Sequence, residues 1–486
     1  MLSLVVLSIA FGSALAVTNN SNSPFCKLCI CSWNHEGTYT NVSCTKPIPN
    51  YAFENSSWIE NDSNKPYEYT AVSFQNNHFN NLSYVFPRSN LIYFNLAHND
   101  IFRISDSVFR NLQNMVVLIL SYNDLEIIHP DAFKGVYMET RYEPLRSLKE
   151  LRLDHNKLHT LNQDMFEHTT DIEILDLSHN PIEIIDDHTL LAIDSLAFLK
   201  ELYLQYTELK TLPDNLLHTP KYLKVLDLSG NTRINKIPDT IAQAGNLEKL
   251  FLNNTGFINL TQESGFPKLK NLKVLHLCRN QHLSHIEKHS LCNLVNLEEL
   301  YLCDNIDLTY IDPMALALPM KSGGSSVWPP IKKLYIGNNK LAYLDSDIIA
   351  RWDSLSELDI RDNPWTCECE NQWLIDDLVP RSLKINENMT KEIRCAAPIE
   401  MKQYTFYDLY EKKSHMRCLD MYGATPEKDA AILVGVLAGV LITIPVILFL
   451  LLAYQRRWFS VFGFCDNSPA AYSRRFYKAS ATDDNF

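Results

Sequence analysis

Residues 148–158, LKELRLDHNKL, and residues 172–182, IEILDLSHNPI, carry one pattern: apolar side chains at positions 1, 4, 6 and 11 and asparagine at position 9. The same pattern reads LIYFNLAHNDI at 91–101 and IKKLYIGNNKL at 331–341. Its position-9 slot falls at Asn77, Asn99, Asn123, Asn156, Asn180, Thr207, Asn231, Thr255, Asn280, Asn305, Asn339 and Asn363, making twelve units, most of them 22 to 27 residues apart. A self-similar period of that length decides the architecture ahead of any local motif.

Positions 4 and 6 alternate as a short strand does, both pointing inward, while positions 3, 5 and 7 point outward. One such strand has nothing to bury its apolar side against. The units must therefore stack, pairing their strands into a parallel sheet over one continuous core. At position 9 the chain leaves the strand, and an asparagine amide there supplies partners for backbone groups that a buried turn would otherwise leave unpaired. Thr207 and Thr255 offer only a hydroxyl, so the pattern fixes their turns least. With about 4.8 Å between strands, the sheet is expected to run on the order of 50 Å. The fold class is an α/β solenoid. In this pattern the chain resembles the extracellular leucine-rich repeat family, and the resemblance implies a horseshoe whose parallel β-sheet lines the concave side.

Two apolar runs bracket the repeats. Residues 1–16, MLSLVVLSIAFGSALA, end in the small-x-small signature of a cleaved signal peptide, although no lysine or arginine precedes the run. Ala430 to Tyr454 is uncharged over 25 residues, enough to cross a bilayer as a helix. Arg456, Arg457, Trp458 and Phe459 follow at once, so a type I, single-pass plasma-membrane protein with its N-terminal side extracellular is expected. N-glycosylation acceptors begin at Asn19, Asn41, Asn55, Asn61, Asn81, Asn253, Asn259 and Asn388, all before the span. Ala431, Gly435 and Gly439 form a small-xxx-small row on one face of the span, a candidate surface for homo-oligomer packing.

Eleven of the twelve cysteines lie between the two apolar runs, as suits an oxidising compartment. Cys26, Cys29, Cys31 and Cys44 precede the repeats; Cys367 and Cys369, within NPWTCECENQWL, follow them with Cys395 and Cys418. A solenoid without caps would leave its apolar end layers in water. The C-x2-C-x-C spacing also departs from the paired C-x2-C of zinc sites. Both groups look like the cysteine-rich caps of the family, and the resemblance implies disulfides joining Cys26 to Cys31, Cys29 to Cys44, Cys367 to Cys395, and Cys369 to Cys418. Cys278 and Cys303 hold position 7 of adjacent repeats, where they either bridge or remain two thiols. Cys292 falls on the opposite side of its repeat and is expected unpaired. Cys465 stands equally as a palmitoylation site or a free thiol. These landmarks divide the chain into signal peptide (1–16), N-terminal cap (17–45), repeats (46–363), C-terminal cap (364–418), stalk (419–429), transmembrane helix (430–454) and cytoplasmic tail (455–486).

The formal charge is −13, and the tail, with five basic and three acidic residues, leaves −15 to everything before it. So acidic an ectodomain argues against nucleic acid or heparin as partner. The sequence contains no nucleophile elbow, phosphate-binding glycine loop or HExxH motif, so neither enzymatic activity nor a cofactor or metal is expected. His282, His285 and His289 have ligand-like spacing but sit in the variable part of a repeat, where solvated histidines are common. His155 and His179 share position 8 in adjacent repeats, where a pH-sensitive contact is one reading. Two repeats carry insertions, VYMETRYEP and LPMKSGGSSVWPP, both expected as loops, the second mobile with Trp328 at its tip.

Position 5 is more informative. From the sixth repeat to the eleventh it holds Tyr203, Asp227, Phe251, His276, Tyr301 and Tyr335, of which Tyr203, Phe251, His276, Tyr301 and Tyr335 are the candidate ligand-binding residues. Tyrosine offers large contact area with a polar tip at interfaces, while the competing reading is that aromatics favour strands and cover their neighbours. A glycan at Asn253 would project into the same concavity. The expected function is a cell-surface protein that binds a protein ligand through its concave face, in adhesion or as a receptor or co-receptor. The alternative is a non-signalling protein that captures or regulates a soluble ligand or an immune elicitor.

Overall fold

Residues 23–33, 40–48, 51–60, 63–319, 326–416 and 426–455 are described by the structure, a computed structural model. Asn19, Asn61, Cys418, Cys465, the 1–16 signal peptide and the tail beyond Gln455 lie outside the described residues. The chain divides into two units, Met1–Ser414 and His415–Phe486.

In the first unit, positions 3 to 5 of each repeat form a short strand, and twelve such strands pair in parallel within one 14-stranded sheet. Register is residue for residue: Leu151 faces Leu118 on one side and Leu175 on the other, and Leu300 lies between Leu275 and Leu334. All six of these position-4 leucines are buried to within 2% of their surface. Full burial of a leucine is worth roughly 1.5 to 3 kcal/mol, which a lone three-residue strand cannot realise. Neighbouring repeats supply the cover, so stacking and strand formation are one event.

The position-9 residues form a buried hydrogen-bond ladder. Asn180 donates to the Leu153 and Leu177 carbonyls at 2.9 and 3.0 Å and accepts from the Leu158 N–H at 3.0 Å. Thr207 and Thr255 keep the ladder's register. Each threonine hydroxyl has one proton, which lies between two acceptors, its own strand's carbonyl (Leu204 or Leu252) and the Oδ1 of Asn231 or Asn280, and that Oδ1 also accepts from the threonine backbone N–H.

Position 8, immediately before the ladder, is left-handed in all twelve repeats, with φ between 51° and 79° from Asn76 through His98, Tyr122, His155, His179, Tyr206, Gly230, Asn254, Arg279, Asp304 and Asn338 to Asp362. Nine of the twelve are Asn, Asp, His or Gly, the types that tolerate this region best. Gly230 is further constrained, because a Cβ there would lie 2.4 Å from the Tyr206 ring.

Both ends of the sheet are covered. An antiparallel pair, Ile30–Trp33 with Thr40–Ser43, extends the sheet at the N-terminal end, and its second strand pairs in parallel with Tyr69–Ser73 of the first repeat. Phe25, Trp58, Tyr69 and Phe74 fill the layer beneath, each at most 2% exposed, with ring centroids 5.2 to 5.6 Å from Phe25. At the other end Trp365 is buried with its indole N–H on the Ile360 carbonyl at 2.9 Å. Helices Val379–Ile385, Glu387–Glu392 and Phe406–Glu411 follow it, the last closed by a capping box between Thr405 and Asp408.

The first insertion departs from the loop reading and the second departs from it only at Trp328, while residues 320–325, where mobility is expected, lie outside the described residues. The first folds as an antiparallel hairpin, Lys134–Met138 with Arg141–Pro144, because VYM and RYE alternate well enough to pair across a turn at Glu139 and Thr140. Tyr137 and Tyr142 meet across it at 5.0 Å. In the second, Trp328 is not a projecting tip. It is half-buried, its indole donating to the Asp347 carbonyl at 3.2 Å, and Leu318 and Val327 form an isolated antiparallel bridge.

The second unit contains the helix Pro426–Gln455, which begins inside the expected stalk and ends one residue beyond the expected span. Its stretch Ile432–Leu452, with mean hydropathy 2.9, is long and apolar enough to cross a membrane. A Cβ at Gly435 or Gly439 would meet nothing within 4 Å.

Candidate functional site

Strand register carries position 5 straight across the sheet. Ser73 faces Asn95, then Ile119, Arg152, Asp176, Tyr203, Asp227, Phe251, His276, Tyr301, Tyr335 and Asp359, each beside the next. Four of the five candidate aromatics are therefore consecutive, and they stack. Ring centroids are 4.6 Å apart for Phe251 and His276, 4.0 Å for His276 and Tyr301, and 4.8 Å for Tyr301 and Tyr335, with interplanar angles of 26°, 7° and 13°. Strand spacing is close to the thickness of stacked rings, so planar side chains in one column meet face to face.

Tyr203 does not join them. Asp227 separates it from Phe251, and its hydroxyl donates to Glu201 at 2.7 Å. Tyr301 and Tyr335 likewise donate to carboxylates, Glu299 at 2.9 Å and Glu357. Burial and those carboxylates push both phenols well above their usual range. The four rings are half-buried and held face to face, and the two tyrosines are also held at their tips, so what the stack offers a partner is a rigid ribbon rather than four free side chains.

His276 sits inside this stack, and burial pushes its pKa down from the usual 6.5 to about 4, against an opposing pull from Glu299 and with a further push from Lys249. The folded protein thus holds the neutral ring, whereas an unfolded chain would take up the proton near 6.5. The stabilisation from this group is whole above about pH 6.5 and is lost as pH falls towards 4, a loss on the order of 2 kcal/mol after allowance for partial exposure. The melting temperature is expected to fall between pH 7 and pH 4.5, and to fall less in His276→Phe, which keeps a ring in the stack. Equal falls in both proteins would acquit His276.

A second set of stacked rings lies at position 8, where the left-handed turns align His98, Tyr122, His155, His179 and Tyr206. Their successive centroid distances are 4.3, 3.9, 4.0 and 4.7 Å. His155 also pairs with Asp154 at 2.9 Å, and His179 is pushed below its usual pKa by burial and then by His155. The sequence reading linked only His155 with His179. The signal for the full ladder is present in the sequence, where position 8 holds His98, Tyr122, His155, His179 and Tyr206 in consecutive repeats.

Cys26 bridges Cys31, Cys29 bridges Cys44, Cys367 bridges Cys395, and Cys278 bridges Cys303, with Cα–Cα distances of 5.4, 4.4, 5.6 and 4.7 Å. Cys369 is also disulfide-bonded. Cys292 is a buried free thiol. Among the acceptor asparagines, Asn55, Asn259 and Asn388 are exposed, and Asn41, Asn81 and Asn253 are half-buried. Asn253 accepts a 2.8 Å bond from the Cys278 N–H, and its acceptor sequence exists because Thr255 replaces the ladder asparagine. Among the described residues no group of three or more His, Cys, Asp or Glu is arranged to hold a metal.

A family model described as "Leucine rich repeat" matches residues 89–137, 146–200, 197–257 and 245–306. The chain is similar to human oligodendrocyte-myelin glycoprotein, 28% identical over 180 residues that span 35% of this chain and 39% of that protein. It is 33% identical to chicken (Gallus gallus) keratocan over 173 residues, 34% of this chain and 43% of that one. The matched regions thus span less than half the length of either relative. A chain in the crystal structure of the TLR13–ssRNA13 complex aligns over 75% of this chain and 45% of its own length, at 19% identity and a TM-score of 0.49.

Proposed function

We propose, on the premise that this chain belongs to the leucine-rich repeat family, that it is a single-pass cell-surface protein whose concave sheet binds a protein ligand, in adhesion or as a receptor or co-receptor. The observation that carries the reading is the stack Phe251–His276–Tyr301–Tyr335. Its side chains are ordered before any partner arrives, which removes much of the entropy cost of forming an interface. Aromatic anchors of this kind dominate interface energetics. The helix containing Ile432–Leu452 supports membrane attachment by its length and composition.

The test begins with the full-length protein in detergent, screened against secreted and cell-surface proteins. With a binder in hand, Tyr335→Ala, at the end of the stack, is expected to cost about 2 kcal/mol or more, roughly a thirtyfold loss of affinity. Tyr301→Ala should do the same. Ser73→Ala in the same column is the control; Asn95 is unsuited to that use because it is buried and holds the Ala97 N–H at 2.8 Å. Equal affinity in all three variants would remove the ring stack from the interface.

A further inference from the structure

Towards the N-terminal end of the same sheet lies a hollow of about 280 Å³. Its floor is apolar, built from Tyr93 and Val117 at position 3 and Ile119 at position 5. One wall is Tyr122, stacked between His98 and His155. The rim on the next repeat is charged: Glu150, Arg152 and Asp154. Arg152 is already committed to Glu150, Nε to Oε1 at 2.6 Å. Asp154 accepts hydrogen bonds from Ser121 and His155, and among the described residues it has no lysine or arginine ion pair.

The carboxylates continue beyond the rim. Asp176 stands beside Arg152 in the position-5 column, and burial together with the charge of Asp154 pushes it above the usual carboxylate range. Glu201 and Asp227 follow on the next two strands. Across these four repeats five carboxylates, Glu150, Asp154, Asp176, Glu201 and Asp227, face one arginine, and an apolar floor leads up to them. An amphipathic cation fits such a site, because its methylene stem covers apolar surface while its head stays with the carboxylates. A carboxylate or phosphate would meet repulsion at the same rim.

We infer that this hollow receives a lysine or arginine side chain from a protein partner, the stem lying on Val117 and Ile119 and the cationic head at Asp154. The site is separate from the ring stack and differs from it in chemistry, so it adds to the proposed function without depending on the tyrosines.

A random dodecapeptide library, panned on the detergent-solubilised full-length protein, tests the inference. Enriched peptides are expected to carry lysine or arginine next to an apolar residue and to bind more weakly as salt rises. Asp154→Asn, which keeps a hydrogen-bonding oxygen for Ser121, should lower their affinity about tenfold. Ile119→Ser, at the half-buried floor, should lower it by a similar factor, and it serves if the first variant fails to fold. Tyr335→Ala should leave it unchanged. Enrichment without an excess of cationic residues overturns the inference, as does equal binding by wild type, Asp154→Asn and Ile119→Ser. Loss of binding in Tyr335→Ala alone also overturns it, by moving the peptides to the ring stack and leaving the proposed function standing.

Discussion

Cys367→Ser is expected to remove about 2 to 5 kcal/mol of stability and to hold most of the protein inside the secretory pathway. Cys367 and Cys395 are 3% and 2% exposed, and their bond closes a 28-residue separation around the end of the solenoid. Cutting it frees the unfolded chain and leaves a hydroxyl and a thiol buried in the folded one. The loss is not confined to the bond. The Cys367 N–H donates to the Ala397 carbonyl at 2.7 Å, next to buried Trp365, and Asn371 ties the same corner to Ala342 and Thr366 at 2.8 and 2.7 Å. A loosened cap therefore exposes the last leucine layer. Flow cytometry of surface protein and thermal melting of the purified chain measure the two consequences. Cys292→Ser is the control, since that thiol has no bond to lose. Normal surface levels and an unchanged melting point for both Cys367→Ser and Cys395→Ser would refute the role given to this cap.

Asn180→Ala should cost about 3 kcal/mol, although it removes no apolar contact. The amide of Asn180 is 1% exposed and serves two neighbouring repeats at once. Alanine takes the partner away from the Leu158 N–H and the Asn180 donor away from the Leu177 carbonyl, and each orphaned buried group costs roughly 1 to 3 kcal/mol. Asn180→Thr should lose about half as much. Thr207 and Thr255 demonstrate that a hydroxyl reaches its own strand's carbonyl, at 2.9 and 3.2 Å, but neither donates to the preceding repeat as Asn180 does to Leu153. Melting curves of the two variants decide this: if alanine and threonine are equally harmful, the ladder's hydrogen bonds are not what holds the turn. The same comparison at Asn305, which receives the Asn280 N–H at 2.8 Å and donates to Leu302 at 2.7 Å, checks whether the effect is general along the solenoid.

How far the residues could be read follows from the distance over which each one acts. The positions of Leu151 and Leu153 are apolar in every repeat and that of Asn156 is asparagine in ten of the twelve, so the period alone identifies strand, core and turn. The left-handed residue before the asparagine was equally local, and its excess of Asn, Asp, His and Gly is visible once the strand-to-turn geometry is known. The hairpin Lys134–Met138 with Arg141–Pro144 was missed for a different reason. Its strands sit in an insertion, where the repeat pattern says nothing and only the local alternation around Tyr137 and Tyr142 remained.

By itself the sequence determined the solenoid, its twelve units, the inward leucines, the turn asparagines and the membership of each outward column, because these depend on spacing within a repeat. Tertiary structure alone decided how members of a column meet. Tyr301 and Tyr335 are 34 residues apart in the chain yet stack at 4.8 Å, while Tyr203 in the same column meets no ring among the described residues because Asp176 and Asp227 flank it. The choice between bridge and free thiols at Cys278 and Cys303 was likewise open until strand register set their Cα atoms 4.7 Å apart. Residues in one column become neighbours only when strands some 4.8 Å apart bring successive repeats together. Whether they then stack, pair or hydrogen-bond depends on side-chain shape and direction, which the spacing of letters does not carry.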